Sequence, residues 1–179
     1  MRDIIEIFTL LGKRLEEFGK DAESKAIIDS AIEQNVWFTR PDIERAVEAI
    51  RLDMLQAHNL TKWLSNYHRA HNPKRVAMVG FFDLLCVLCS GNEAHIKPST
   101  KDRVLMQYIV DTLRDIEPSI PIYDYLESEH YDMAIATGGE DANRYFESHF
   151  EGTKRLLRGS RHSVAVLSGK ESAEELEAL

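Results

Sequence analysis

At Arg75 the chain changes rhythm, and that change constrains the fold more than any other feature. Before it, apolar residues recur at helical steps; after it, short apolar runs alternate with helical ones. Val76-Ala77-Met78-Val79 reads as a strand and is followed by a helix from Phe81 to Cys89 that stops at Ser90-Gly91-Asn92. Ala94-His95-Ile96-Lys97 is the next strand, and Pro98-Ser99-Thr100-Lys101-Asp102 opens a helix that runs through Leu113. The segment from Pro118 to about Glu129 carries no clear signal. Asp132-Met133-Ala134-Ile135-Ala136-Thr137 predicts a strand ending in Gly138-Gly139, with an amphipathic helix from Glu140 to Phe150 after it. Arg155-Leu156-Leu157 and residues 163–167 predict two more strands. Strands alternating with helices imply α/β architecture with a parallel, doubly wound sheet.

Ahead of this lies a helical segment, 1–72. Ile4, Phe8, Leu11, Leu15 and Phe18 form one apolar stripe, which Gly19 can end. A second helix is predicted from Ala22 to about Gln34. Thr39-Arg40-Pro41-Asp42 has the form of a helix start, with a Thr cap, an early Pro and an acid three positions on. Ile43, Val47, Ile50 and Met54 supply its buried face, and the helical pattern runs on towards Trp63, Leu64 and Tyr67. His71-Asn72-Pro73 marks the break.

Composition narrows the function classes. The net charge is −8 and the Lys and Arg residues are scattered, whereas a duplex-binding surface needs them clustered. Nucleic acid is therefore not an expected partner. No apolar run reaches the roughly 20 residues that span a bilayer, and charges interrupt the start, so a cytoplasmic protein is expected. The two cysteines, Cys86 and Cys89, spell C-x-x-C, but they lie inside an almost wholly apolar helix rather than at an exposed helix start, which predicts core thiols rather than a redox pair. The seven histidines show no metal-ligand spacing.

In sheets of this kind ligands sit beyond the carboxyl ends of the strands. Two strand ends stand out. At Ile96-Lys97-Pro98-Ser99 a lysine leaves the sheet as a helix begins. At Ala136-Thr137-Gly138-Gly139 glycines permit close approach to the backbone before a helix N-terminus. No G-x-G-x-x-G is present. Taken singly, each signal is weak and the plainer reading wins: Lys97 as a solvated strand-end lysine, and Gly138-Gly139 as an ordinary turn.

Their order and spacing say more. "GNEAHIKPSTKDRVLMQYI", then "YDMAIATGGEDANRYFESHF", then "KRLLRGSRHSVAVLSG" resembles the cofactor-binding half of the aldehyde dehydrogenase superfamily, and most closely the bacterial fatty acyl-CoA reductase family of bioluminescence operons. "NVWFTRPDIERAVEAI" and "LTKWLSNYHR" resemble that family's helical N-terminal portion. The resemblance implies a Rossmann-like NAD(P)-binding domain over 73–179. It also implies an oxidoreductase that reduces an acyl-CoA or acyl-protein to a fatty aldehyde with NADPH or NADH, self-association being left open. Lys97 matches the lysine that bonds the adenosine ribose or its 2′-phosphate, and Pro98 and Ser99 shape that turn. Thr137, Gly138 and Gly139 match the "TGS" turn against the cofactor, with Gly139 replacing the usual Ser.

Three departures accompany the resemblance. Arg158 stands where ordinary aldehyde dehydrogenases carry the Glu of "LELGG", as in the acyl-CoA reductase branch; a reductase has less need of a base that activates water. The family's "GNxP"-like loop, whose Asn helps bind the oxyanion, has no counterpart between Val79 and Gly80. The direct link is sterically awkward, which predicts a gap in the chain at 79/80. The family's nucleophilic Cys, in a "GCR"-like motif, falls after the stretch resembling 168–179, so no catalytic residue is assigned here. Other aldehyde or semialdehyde dehydrogenases on the same scaffold, or a non-catalytic interaction module, are the alternatives. Lys97 and the Gly138-Gly139 turn are expected at one sheet edge, around an open crevice.

Overall fold

The structure, a computed structural model, describes residues 2–159 and 166–177. Five parallel strands form one sheet: β1 (Arg75–Met78), β2 (Glu93–Ile96), β3 (Ile122–Asp124), β4 (Met133–Thr137) and β5 (Lys154–Arg158). Their order is β3-β2-β1-β4-β5. The chain moves outward from β1 to β2 and β3, then returns to the other side of β1 for β4 and β5. The order therefore reverses between β1 and β4, the place where open α/β sheets leave a crevice at their carboxyl ends. This is a Rossmann-like architecture, as the alternating pattern implies.

One face of the sheet is deeply covered. Val76, Met78, Ala94, Ile96, Ile122 and Ile135 point into a continuous core with α5 (Phe81–Cys89) and α6 (Arg103–Ile116). The N-terminal helices pack against the same core through Ile4, Ile7, Phe8 and Leu11 of α1 (Ile4–Arg14). Local chemistry sets these helices. Asp3 caps α1 by accepting from the Ile5 N–H, and Asp21 caps α2 (Ala22–Gln34) by accepting from the Ser24 N–H. Thr39 caps α3 (Arg40–Ala49) as its motif predicts, accepting from the Asp42 N–H.

Three elements differ from the sequence pattern. The apolar stripe of α1 ends as a 3-10 turn, Leu15–Glu17, before Gly19 turns the chain at φ 82°. The helix expected to run from Thr39 towards Trp63 passes instead through a π-helical turn, Ile50–Met54, and breaks before α4 (Ala57–Leu64). Leu55 is the cause: it is buried against Gly12 of α1, where an added Cβ would lie 3.1 Å from the Leu55 Cβ. Side chains satisfy the carbonyls freed there, Gln56 donating to Arg51 at 2.9 Å and Asn59 to Asp53 at 3.0 Å. The unassigned stretch after Pro118 contains β3, only three residues long and buried only at Ile122.

At 79/80 the expected gap is not seen. Val79 and Gly80 carry the chain from β1 into α5, with Gly80 at the N-cap in extended backbone (φ −115°, ψ 169°) and its carbonyl accepting from the Leu84 N–H at 3.0 Å. Two residues suffice for a strand-to-helix link, so the steric objection falls. The strand expected over 163–167 lies largely outside the described residues; Val166 and Leu167, which are described, are exposed and not in a strand.

Candidate functional site

The carboxyl edge of the sheet gathers the predicted residues. Lys97 follows β2 directly, its N–H donating to the Met78 carbonyl at the end of β1 at 3.0 Å. Pro98 and Ser99 turn the chain towards α6: the Ser99 carbonyl accepts from the Asp102 N–H at 3.0 Å, and its hydroxyl from the Lys101 N–H at 3.3 Å. Thr137 ends β4 on the other side of β1. Gly138 donates its N–H to the Arg158 carbonyl at 3.1 Å, and Gly139 is the N-cap of α7 (Glu140–His149). Lys97 and the 137–139 turn thus lie at the same edge, flanking the reversal point.

Gly138 is held by packing. A Cβ there would sit 2.5 Å from the Ala142 Cβ, closer than side chains tolerate, so glycine lets α7 approach the strand. Three helix N-termini open on this edge without side-chain caps, those of α5 at Gly80, α6 at Asp102 and α7 at Gly139. A Cβ at Gly80 would meet nothing within 4 Å, so the start of α5 is open. Its dipole favours an anion, and the acid in its first turn, Asp83, is paired with Arg158; α7 offers the same dipole, opposed by Glu140 and Asp141 in its first turn.

The space between these turns is not the open crevice expected. Rings from the 125–131 loop and α7 fill it: Tyr125, Tyr145, Phe146, His149 and Phe150 crowd over Ala77 and Ala136. The Tyr125 hydroxyl lies 2.6 Å from His149 Nε2, and about 30 Å³ is left free, room on the order of one water. The interior of this gap therefore has no room for a phosphate-bearing ligand, and Lys97 and the start of α5 lie on its rim.

Two pairings escape sequence reasoning because their members are far apart in the chain. Lys97 Nζ lies 3.1 Å from Glu127 Oε1 and 5.1 Å from the Tyr125 ring centroid. Arg158, at the end of β5, grips Asp83 of α5 with both nitrogens, Nη1 to Oδ2 at 2.9 Å and Nη2 to Oδ1 at 2.7 Å. The Asp83 hydrogen bond holds the Arg158 pKa above its ordinary value, so the guanidinium stays charged but already has its anion. Neither signal could be read locally; only the acids themselves are visible in the sequence.

The cysteines lie on α5 just beyond this pair. Burial, then the charge of Asp83, pushes the half-buried Cys86 thiol up, with Arg158 opposing. Burial pushes Cys89 up to about 12. Both are protonated at neutral pH, the wrong state for a nucleophile. Among the described residues, no three His, Cys, Asp or Glu side chains converge as a metal ion would require, and no helix is long and apolar enough to cross a membrane.

No protein-family profile and no curated protein matches the chain. Solved structures do, at the level of fold. Gox0499, a protein described for its cofactor and substrate selection, superposes with a TM-score of 0.64 at 10% identity, over 89% of this chain and 42% of its own. Proline Utilization A (PutA) from Corynebacterium freiburgense superposes with a TM-score of 0.56 at 15% identity, over 89% of this chain and 19% of its own. The chain therefore spans less than half the length of either. The likeness is one of fold: a parallel α/β sheet with flanking helices.

Proposed function

We propose that this chain is the cofactor-binding portion of an NAD(P)H-dependent oxidoreductase acting at the aldehyde level, and specifically of a fatty acyl-CoA reductase. The observation that carries the reading is the placement of Lys97 and the 137–139 turn on the two strands that flank β1, where the strand order reverses. Lys97 would hold the adenosine end of the dinucleotide, and the open start of α5 would receive its phosphates. When bound, the dinucleotide would supply the hydride that such a reduction needs. The cysteine that carries the acyl group as a thioester comes from outside this chain in this reading, since Cys86 and Cys89 are buried and protonated. Arg158 favours the reductase over a hydrolysing aldehyde dehydrogenase: paired with Asp83, it cannot serve as a base for water.

The test has two parts. Titration of nicotinamide dinucleotides, followed by nicotinamide fluorescence, should show binding that Lys97→Ala weakens by about tenfold, the size of one charge-assisted contact. Unchanged binding in the variant would remove Lys97 from the site, and no binding by the wild type would favour an interaction module. With NADH or NADPH and a long-chain acyl-CoA, the chain alone should show no turnover. Turnover that Cys86→Ser or Cys89→Ser abolishes would place the nucleophile in α5 after all.

A further inference from the structure

We propose that Glu127 sets the dinucleotide preference of this site, holding Lys97 for a free ribose 2′-hydroxyl and turning away a 2′-phosphate, so that NADH is selected over NADPH. The inference rests on the cofactor reading above and decides what that reading leaves open.

Glu127 is brought to Lys97 by a built loop. Tyr125 donates its N–H to the Ile96 carbonyl at 3.0 Å, which ties the loop to the end of β2, one residue before Lys97. The buried Tyr131 then closes the loop: its hydroxyl accepts from the Leu126 N–H at 2.8 Å and donates to the Leu126 carbonyl at 2.9 Å. The rings of Tyr125 and Tyr131 stack at 5.0 Å, and the Glu129 N–H returns to the Leu126 carbonyl at 3.1 Å. Leu126, immediately before Glu127, is therefore held through both its backbone groups and Glu129 is tied back to it, and the Glu127 carboxylate reaches Lys97 at 3.1 Å.

The charge arithmetic is local. A lysine alone at a strand end attracts a 2′-phosphate, which carries about −1.5 to −2 charges at neutral pH. With Glu127 beside it the pair is neutral, and a phosphate placed against Lys97 also meets a carboxylate. A ribose diol gains from both partners instead, because hydroxyls donate to the carboxylate and accept from the ammonium. An acid on the ribose hydroxyls is the physical basis of NAD preference in dinucleotide sites generally. Here it comes from the loop after β3 rather than from the strand that bears the lysine.

The experiment titrates this chain with NADH and NADPH, and separately with 5′-AMP and 2′,5′-ADP, which probe the adenosine end alone. The wild type should bind NADH about tenfold or more tighter than NADPH, and 5′-AMP tighter than 2′,5′-ADP. Glu127→Gln keeps the shape and removes the charge; it should tighten the 2′-phosphorylated ligands about tenfold and leave the others within a few-fold. Glu127 is exposed, so the variant should fold. A wild type that binds without preference or favours NADPH overturns the inference alone, as does a Glu127→Gln variant that shifts both classes equally. A wild type that binds none of the four ligands overturns the cofactor reading, and this inference with it.

Discussion

The two faces of the sheet are built differently. The face towards α5, α6 and the N-terminal helices is aliphatic and closed, with Phe8, Leu11, Leu84 and Leu113 fully buried. The opposite face has a small core of Ala77, Tyr131 and Ala134, edged by Tyr125 and Phe150. Polar rings line it: His95 stacks on Tyr123 at 5.1 Å and meets Tyr131 edge-on at 5.1 Å. The first face supplies stability through area removed from water. The second supplies little, and its rings and hydroxyls instead shape the loop that carries Glu127 to Lys97. In this chain the large aliphatic core and the ring-built loop that meets Lys97 lie on opposite sides of the same five strands.

That contrast can be broken by substitution, and the largest effect belongs to the closed face. Leu84→Ala should cost about 3–5 kcal/mol in urea unfolding, because the cavity it leaves is surrounded by packed helices that cannot collapse into it. A loss under about 1 kcal/mol would mean the closed face is looser than its packing shows. Next comes the tie between the faces' edges. Arg158→Ala leaves the Asp83 carboxylate, whose side chain is 7% exposed, without its cation, and should cost about 2–3 kcal/mol given that Arg158 itself is partly exposed. The double change Asp83→Leu with Arg158→Leu should recover most of that loss.

On the thin face, Tyr131→Phe removes both hydroxyl bonds to the Leu126 backbone and should cost about 1–2 kcal/mol. The same change should blur any preference between NADH and NADPH, since the loop no longer fixes Glu127. A variant as stable as wild type would show the loop to be held by other contacts. The smallest effect is a pH dependence. Burial, then the neighbouring Arg75, lowers the His95 pKa from its ordinary 6.5, against an opposing pull from Glu93. The folded state thus binds this proton less readily than the unfolded state. Stability should be level above about pH 6.5 and fall as the pH drops below it, where the unfolded chain gains a proton that buried His95 resists. Thermal unfolding from pH 7.5 to 5 checks this, and His95→Gln should flatten that part of the profile.

Much of this architecture is legible from the chain alone. The caps at Thr39 and the limits of α2 follow from residues that satisfy their own backbone within four positions, which is why the pattern and the structure agree there. Strands β1, β2 and β4 are legible because each is a short, largely buried run, apolar except for His95 in the interior of β2, closed by a polar or glycine stop. Strand β3 is not, because only Ile122 of its three residues is buried, and two-residue periodicity needs more than one repeat to show. The π-helical break after Ala49 is equally silent, since it answers to Leu55 meeting Gly12 on a helix more than forty positions earlier in the sequence.

The candidate site divides along the same line. Lys97 and the Thr137-Gly138-Gly139 turn stand out in the sequence because strand ends followed by helices are visible as local pattern. What surrounds them was decided only by the fold. Glu127 lies thirty positions from Lys97, and Arg158 seventy-five from Asp83. Ion pairs carry no periodicity, so no spacing along the chain announces them. They form because parallel pairing stacks the ends of β2 and β3, and because the order reversal at β1 carries β5 to where α5 begins. The sequence by itself determined most of the strands and helices, through backbone capping and the burial of apolar runs, though not β3 or the π-helical break. Which charges would meet at their ends was left to the register and order of the sheet.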